Sequence, residues 1–84
     1  MGKHQKTLQR MRSSPTPADI RWDELVGVLA HLGYGEITNS GSRRKFHNPT
    51  TGALINCHKP HPGSIVAKYC IEFVVEHLKD HNFI

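Results

Sequence analysis

The chemistry-bearing residues of this 84-residue chain fall in two short runs, Arg43-Arg44-Lys45-Phe46-His47 and His58-Lys59-Pro60-His61. Guanidinium and ammonium groups hold phosphate oxygens, arginine in a bidentate way. Imidazole titrates near neutral pH, so it can take a proton from one oxygen and give one to another. RNA brings its own nucleophile, the 2′-hydroxyl. Its cleavage needs only a base, an acid and something to stabilise the charge on phosphorus, so neither a metal nor a cofactor is expected. His58 and His61 do have a zinc-ligand spacing. Zinc would need two further ligands, and no Cys pair or HExxH supplies them. Each histidine also has a plain reading as a solvated surface residue. His31 and His77 read as packing or surface residues of helices, and His4 and His81 lie near the ends.

The charge pattern supports an anion-binding face. Lys3, Lys6, Arg10 and Arg12 account for the whole net charge of +4, because the bases and acids beyond residue 12 balance. No acid occurs between Glu36 and Glu72, a stretch that holds Arg43, Arg44, Lys45, Lys59, Lys68, His47, His58 and His61. A neutral body with one basic strip suits a directed anion partner. A solvated basic loop region is the competing reading.

Length and composition exclude several classes. The chain is too short for two domains around a large cofactor cleft. With 37% hydrophobic and 21% charged residues it reads as a small globular domain. It has no apolar run near the roughly 20 residues of a membrane span. The N-terminus lacks a signal peptide's apolar stretch. Cys57 and Cys70 are then expected as reduced, buried, small hydrophobes in a cytoplasmic protein.

The positioning elements follow from periodicity. Residues 1–15 form a basic N-terminal arm, expected either to form a turn or two of helix or to stay flexible, and residues 16–84 a single domain. Trp22, Leu25, Val26, Leu29 and Leu32 fall on one face of a helix. Either Thr16 with Pro17 or Asp19 starts it, and Gly33 stops it. Short strands are expected over 34–39, 42–47 and 53–58, with Gly41 at the first turn. The Asn48-Pro49-Thr50-Thr51-Gly52 turn makes the last two an antiparallel hairpin. A final helix runs from about Ser64, as N-cap, to His81. Its apolar face is read as Val66, Tyr69, Cys70, Phe73, Val74 and His77. The fold class is α+β, in the order α-β-β-β-α, with a three-stranded antiparallel sheet packed on two helices.

If Pro49 to Gly52 form the turn, paired residues in the hairpin sum to 101. Phe46, Ile55 and Cys57 then share an apolar face, with Arg44 awkward among them. The other face carries Arg43 opposite His58, Lys45 opposite Asn56 and His47 opposite Leu54. A slip of one residue would destroy that group.

The sequence resembles the HicA toxins of bacterial and phage toxin–antitoxin systems. Three stretches carry the resemblance: WDELVGVLAHLGY (22–34), Gly41-Ser42-Arg43-Arg44-Lys45-Phe46, and His58-Lys59-Pro60-His61-Pro62-Gly63. The resemblance implies a double-stranded-RNA-binding-domain-like fold, ribosome-independent cleavage of mRNA, and neutralisation by a HicB antitoxin that covers the active surface. One position departs from the family. HicA toxins commonly carry their catalytic histidine in Gly-Ser-His, and here Arg43 and Arg44 follow Gly41-Ser42.

The resulting expectation is a small cytoplasmic endoribonuclease toxin. His58 acts as base or acid, with His61 as its possible partner. Arg43, Arg44, Lys45, His47 and Lys59 contact RNA. The partners are mRNA and a HicB-like antitoxin, with no membrane and no small-molecule cofactor. The rival readings are a non-catalytic RNA-binding module, a toxin remnant that retains antitoxin binding, and a pure protein-interaction piece.

Overall fold

An amphipathic helix needs a surface on which to bury its apolar face, and a hairpin with one apolar side supplies it. A computed structural model describes residues 2–38, 43–60 and 63–84. The elements are α1 (Lys3–Met11), α2 (Trp22–His31), β1 (Gly35–Thr38), β2 (Arg43–His47), β3 (Leu54–His58) and α3 (Lys68–Asp80). The strands form one antiparallel sheet in the order β1-β2-β3, so the fold is α+β as expected. Trp22, Leu25, Val28 and Leu29 of α2 and Cys70, Ile71, Val74, Val75 and Leu78 of α3 close over Phe46, Ile55 and Cys57 of the sheet. Trp22 and Phe46 meet with ring centroids 5.8 Å apart.

The hairpin forms in the expected register. Arg43 pairs with His58, Lys45 with Asn56, Phe46 with Ile55 and His47 with Leu54. Asn48 organises the turn. Its side-chain oxygen accepts from the Thr50 and Thr51 amides at 3.0 and 3.3 Å. Its side-chain nitrogen donates 3.2 Å to the Leu32 carbonyl, which ties the turn to the end of α2. Gly33 ends α2 as expected. At φ +97° it takes the left-handed conformation, and its amide and that of Tyr34 donate back to Ala30 and Leu29, a Schellman closure. Gly41, expected at the first turn, lies outside the described residues.

Four features differ from the sequence expectation. The first is the N-terminal arm, whose helix α1 packs against α2 instead of standing apart from the domain. Met11 is only 2% exposed, Arg10 pairs with Asp19 at 2.7 Å and with Glu24 at 3.3 Å, and the His4 ring packs against Gly27. A Cβ on Gly27 would stand 2.7 Å from that ring, so the glycine lets α1 approach α2 closely.

The second and third differences have one cause. Residues 20–22 and 64–66 pair as short extended segments. The Val66 amide donates to the Ile20 carbonyl at 2.8 Å, and the Trp22 amide to the Ser64 carbonyl at 2.7 Å. This pairing holds both segments out of helix. α2 therefore starts at Trp22 with Arg21 as N-cap, its amide donating to Glu24 at 2.9 Å, and neither Thr16 nor Asp19 caps it. Thr16 binds Glu72 instead. α3 starts at Lys68 with Ala67 as N-cap, not Ser64.

The fourth difference is the face of α3. The buried stripe is Cys70, Ile71, Val74, Val75 and Leu78, while Tyr69 is 70% and Phe73 53% exposed. Cys70 and Val74 belong to both candidate stripes, so apolar spacing alone does not separate them.

Candidate nucleic-acid interface

Alternation along β2 and β3 sorts their side chains by parity. Phe46, Ile55 and Cys57 point to the helices and are buried, whereas Asn56 and His58 are exposed, and Lys45 and His47 half-buried. The Asn48 amide donates to the Ala53 carbonyl at 2.9 Å, which sets the phase of the ladder. Arg43–His58, Lys45–Asn56 and His47–Leu54 are therefore non-hydrogen-bonded pairs. Such pairs have the closer Cα spacing, about 4.5 Å. The hairpin thus brings Lys45, His47, Asn56 and His58 together on one open surface, with Arg43 opposite His58 in the ladder.

Two apolar residues frame this surface. Ile37 on β1 stands beside Lys45 and is 49% exposed; Leu54 stands beside His47 and is 46% exposed. Lys59 follows β3 directly and is also exposed. Among the described residues, none forms an ion pair or hydrogen bond with the side chains of Lys45, His47, His58 or Lys59. His61 lies outside the described residues.

Arg44, grouped above with the RNA contacts, is turned the other way. Its Nε lies 3.2 Å from Glu36, and its side chain is only 16% exposed. Glu36 and Arg44 share the helix side of the sheet, because Glu36 pairs with Phe46 and Thr38 with Arg44. The parity that brings Lys45 out takes Arg44 in, so its charge is spent on joining β1 to β2.

The remaining histidines have structural partners. His77 Nε2 lies 2.9 Å from the Tyr34 hydroxyl, and its ring stacks on His81 with centroids 4.2 Å apart. Burial, reinforced by His81, holds His77 below the ordinary imidazole pKa, while Asp80 opposes the shift. Burial raises the Tyr34 hydroxyl. His4 lies against His31, with ring centroids 5.4 Å apart.

One feature escaped the sequence reading. A groove of about 390 Å³ runs between β3 and α3, lined by Asn56, Cys57, His58, Tyr69, Cys70 and Phe73. Cys57 and Cys70 are both free and buried, with sulfurs 3.7 Å apart. The neighbouring Cys70 and burial both push the Cys57 thiol pKa up. The signal in the sequence is the Tyr69/Phe73 pair, four residues apart, whose helical spacing fits an exposed aromatic stripe as well as a core face.

Among the described residues, no cluster of three or more His, Cys, Asp or Glu is arranged to hold a metal ion. No helix among them is long and apolar enough to cross a membrane. No curated protein and no solved structure matches the chain. The family model of the HicA toxin of bacterial toxin–antitoxin systems matches residues 22–80, from the first residue of α2 to the last of α3. With the match spanning most of its length, the chain belongs to the HicA toxin family.

Proposed function

We propose that this toxin is a cytoplasmic endoribonuclease that cleaves mRNA without the ribosome, using the open face of its sheet. A neutral imidazole removes the 2′-hydroxyl proton, and the 2′-oxygen attacks the adjacent phosphorus. A protonated imidazole gives its proton to the departing 5′-oxygen, leaving a 2′,3′-cyclic phosphate. His58 is one of these groups and His61 its partner. Arg43 and Lys45 hold the phosphate and stabilise the charge that builds on its oxygens. His47 and Lys59 extend the contact along the strand. Lys3, Lys6 and Arg12 of the α1 segment add affinity that does not depend on sequence. Arg44 is left out of the contact set because of its pairing with Glu36.

The observation that carries this reading is the hairpin register, with Lys45, His47 and His58 on one exposed side. Family membership supports the same activity. It also supports neutralisation by a HicB-like antitoxin, whose acidic groups would meet the same cations. The test is cleavage of RNA in the presence of a chelator, paired with growth arrest on expression. Wild type is expected to cut and to arrest growth. His58→Ala should lose about 100- to 10,000-fold in cleavage, the usual contribution of a general acid or base. If His58→Ala, His61→Ala and the double variant all cut as wild type does, the assignment fails.

A second reading rests on Arg43, which stands where the family commonly has its catalytic histidine. In that case the protein binds RNA through the same face and leaves it intact, and the chelator assay shows salt-sensitive binding without products.

A further inference from the structure

The groove between β3 and α3 opens beside the candidate interface and shares residues with it. Asn56 and His58 belong to both the exposed sheet face and the groove wall. Tyr69 and Phe73 of α3 and the buried Cys57 and Cys70, with sulfurs 3.7 Å apart, complete its lining. β3 is an edge strand. The ladder phase turns the backbone groups of Asn56 and His58 away from β2, toward that open edge. One small space therefore combines two exposed aromatic residues, an amide side chain, an imidazole and backbone groups with no strand partner among the described residues. The neighbouring side chains on the sheet, Lys45 and His47, are cationic or imidazole, and Lys59 continues the strip past His58.

We infer that this groove is a nucleobase subsite, in which an unpaired base of single-stranded RNA stacks on Tyr69 and Phe73 while its own ribose–phosphate lies at His58. The inference rests on the RNA reading above and adds the residues that select the nucleotide at the cleavage point. Stacking on aromatic side chains tolerates any base, because every base has a π-face. Selection among bases falls to Asn56 and the β3 edge, which can read donors and acceptors on the base rim. A charged peptide strand fits less well. Among the described residues, the groove wall carries one imidazole and no carboxylate, ammonium or guanidinium group, whereas the strip beside it is cationic and suits phosphates.

The experiment uses the full chain and short 2′-O-methyl RNA strands, which bind but lack the attacking hydroxyl. A companion set of strands carries one abasic position each. Wild type is expected to bind the intact strand about tenfold or more tightly than the strand abasic at the stacked position. Tyr69→Ala/Phe73→Ala should lose that difference and bind both strands at the weaker affinity, with an unchanged melting temperature because both rings are exposed. Tyr69→Leu/Phe73→Leu, which keeps apolar cover and has no ring, should behave in the same way, and Tyr69→Phe should retain discrimination. Variants that still discriminate as wild type does would overturn the subsite and leave the cleavage reading to its own test at His58. Variants that keep discrimination but lose capture of the antitoxin would assign the groove to a protein segment and overturn it as well. A wild type that binds no RNA removes both readings.

Discussion

Arg44 and Lys45 are neighbours in sequence and strangers in space. Arg44 faces the helices, paired with Glu36 at 3.2 Å, and Lys45 stands on the open side of the sheet opposite Asn56. A second paired cation lies at the junction of α1 and α2. Arg10 is held by Asp19 and Glu24 and fastens α1 to the α2 N-terminus. The open face has no carboxylate among the described residues of β2 and β3. Arg10 and Arg44 each join two elements through a carboxylate, whereas Lys45 has no ion-pair partner among the described residues. Strand parity separates Arg44 from Lys45, so a reading of net charge alone misses the difference.

The sharpest way to break the comparison is to substitute one residue on each side. Phe46 is buried among Trp22 and the α2 leucines, so Phe46→Ala should cost about 3–5 kcal/mol in chemical denaturation. Lys45→Ala, one residue away, should change stability by less than about 0.5 kcal/mol. Equal losses at the two positions would mean that the open face is not open.

RNA affinity should divide the two cations in the opposite sense. Lys45→Ala is expected to lower the salt dependence of binding by about one phosphate contact. Arg44→Ala should leave that slope unchanged, with its effect confined to the junction of β1 and β2. A slope that falls equally in both variants would put Arg44 back among the RNA contacts.

The smallest effect concerns the histidines. His77 is held below its ordinary pKa by burial and by His81. The unfolded chain therefore binds the proton more readily, and the stabilising contribution of neutral His77 is complete above its unfolded pKa, near 6.5. It is lost as pH falls through the lower folded-state value. Thermal melts of His77→Gln should show a shallower loss of stability below neutral pH than wild type. An unchanged profile would remove His77 from the account of acid stability.

The hairpin surface proposed as the site was legible because one local feature propagates. The Asn48–Gly52 turn sets the hairpin register, and the register sets every face on β2 and β3. The Schellman closure at Gly33 was legible for a similar reason, being encoded within a few residues. What was hidden depends on contacts distant in sequence. The caps at Thr16, Asp19 and Ser64 were plausible locally, but pairing of residues 20–22 with 64–66 overrode them. The helix in the basic arm is stabilised by Met11 in the core and by carboxylates on a later segment. The α3 face was misread because two apolar stripes share Cys70 and Val74, and choosing the wrong one buried Tyr69 and Phe73 and concealed the groove.

The central claim is that RNA meets the open side of the sheet. Amide chemical-shift mapping of the 15N-labelled chain during titration with uncleavable 2′-O-methyl RNA tests it most directly. The account predicts the largest changes at residues 43–47 and 54–59, extending to 69–73 and fading across α2. Changes concentrated on α2, or absent from both strands of the hairpin at saturating RNA, would contradict it.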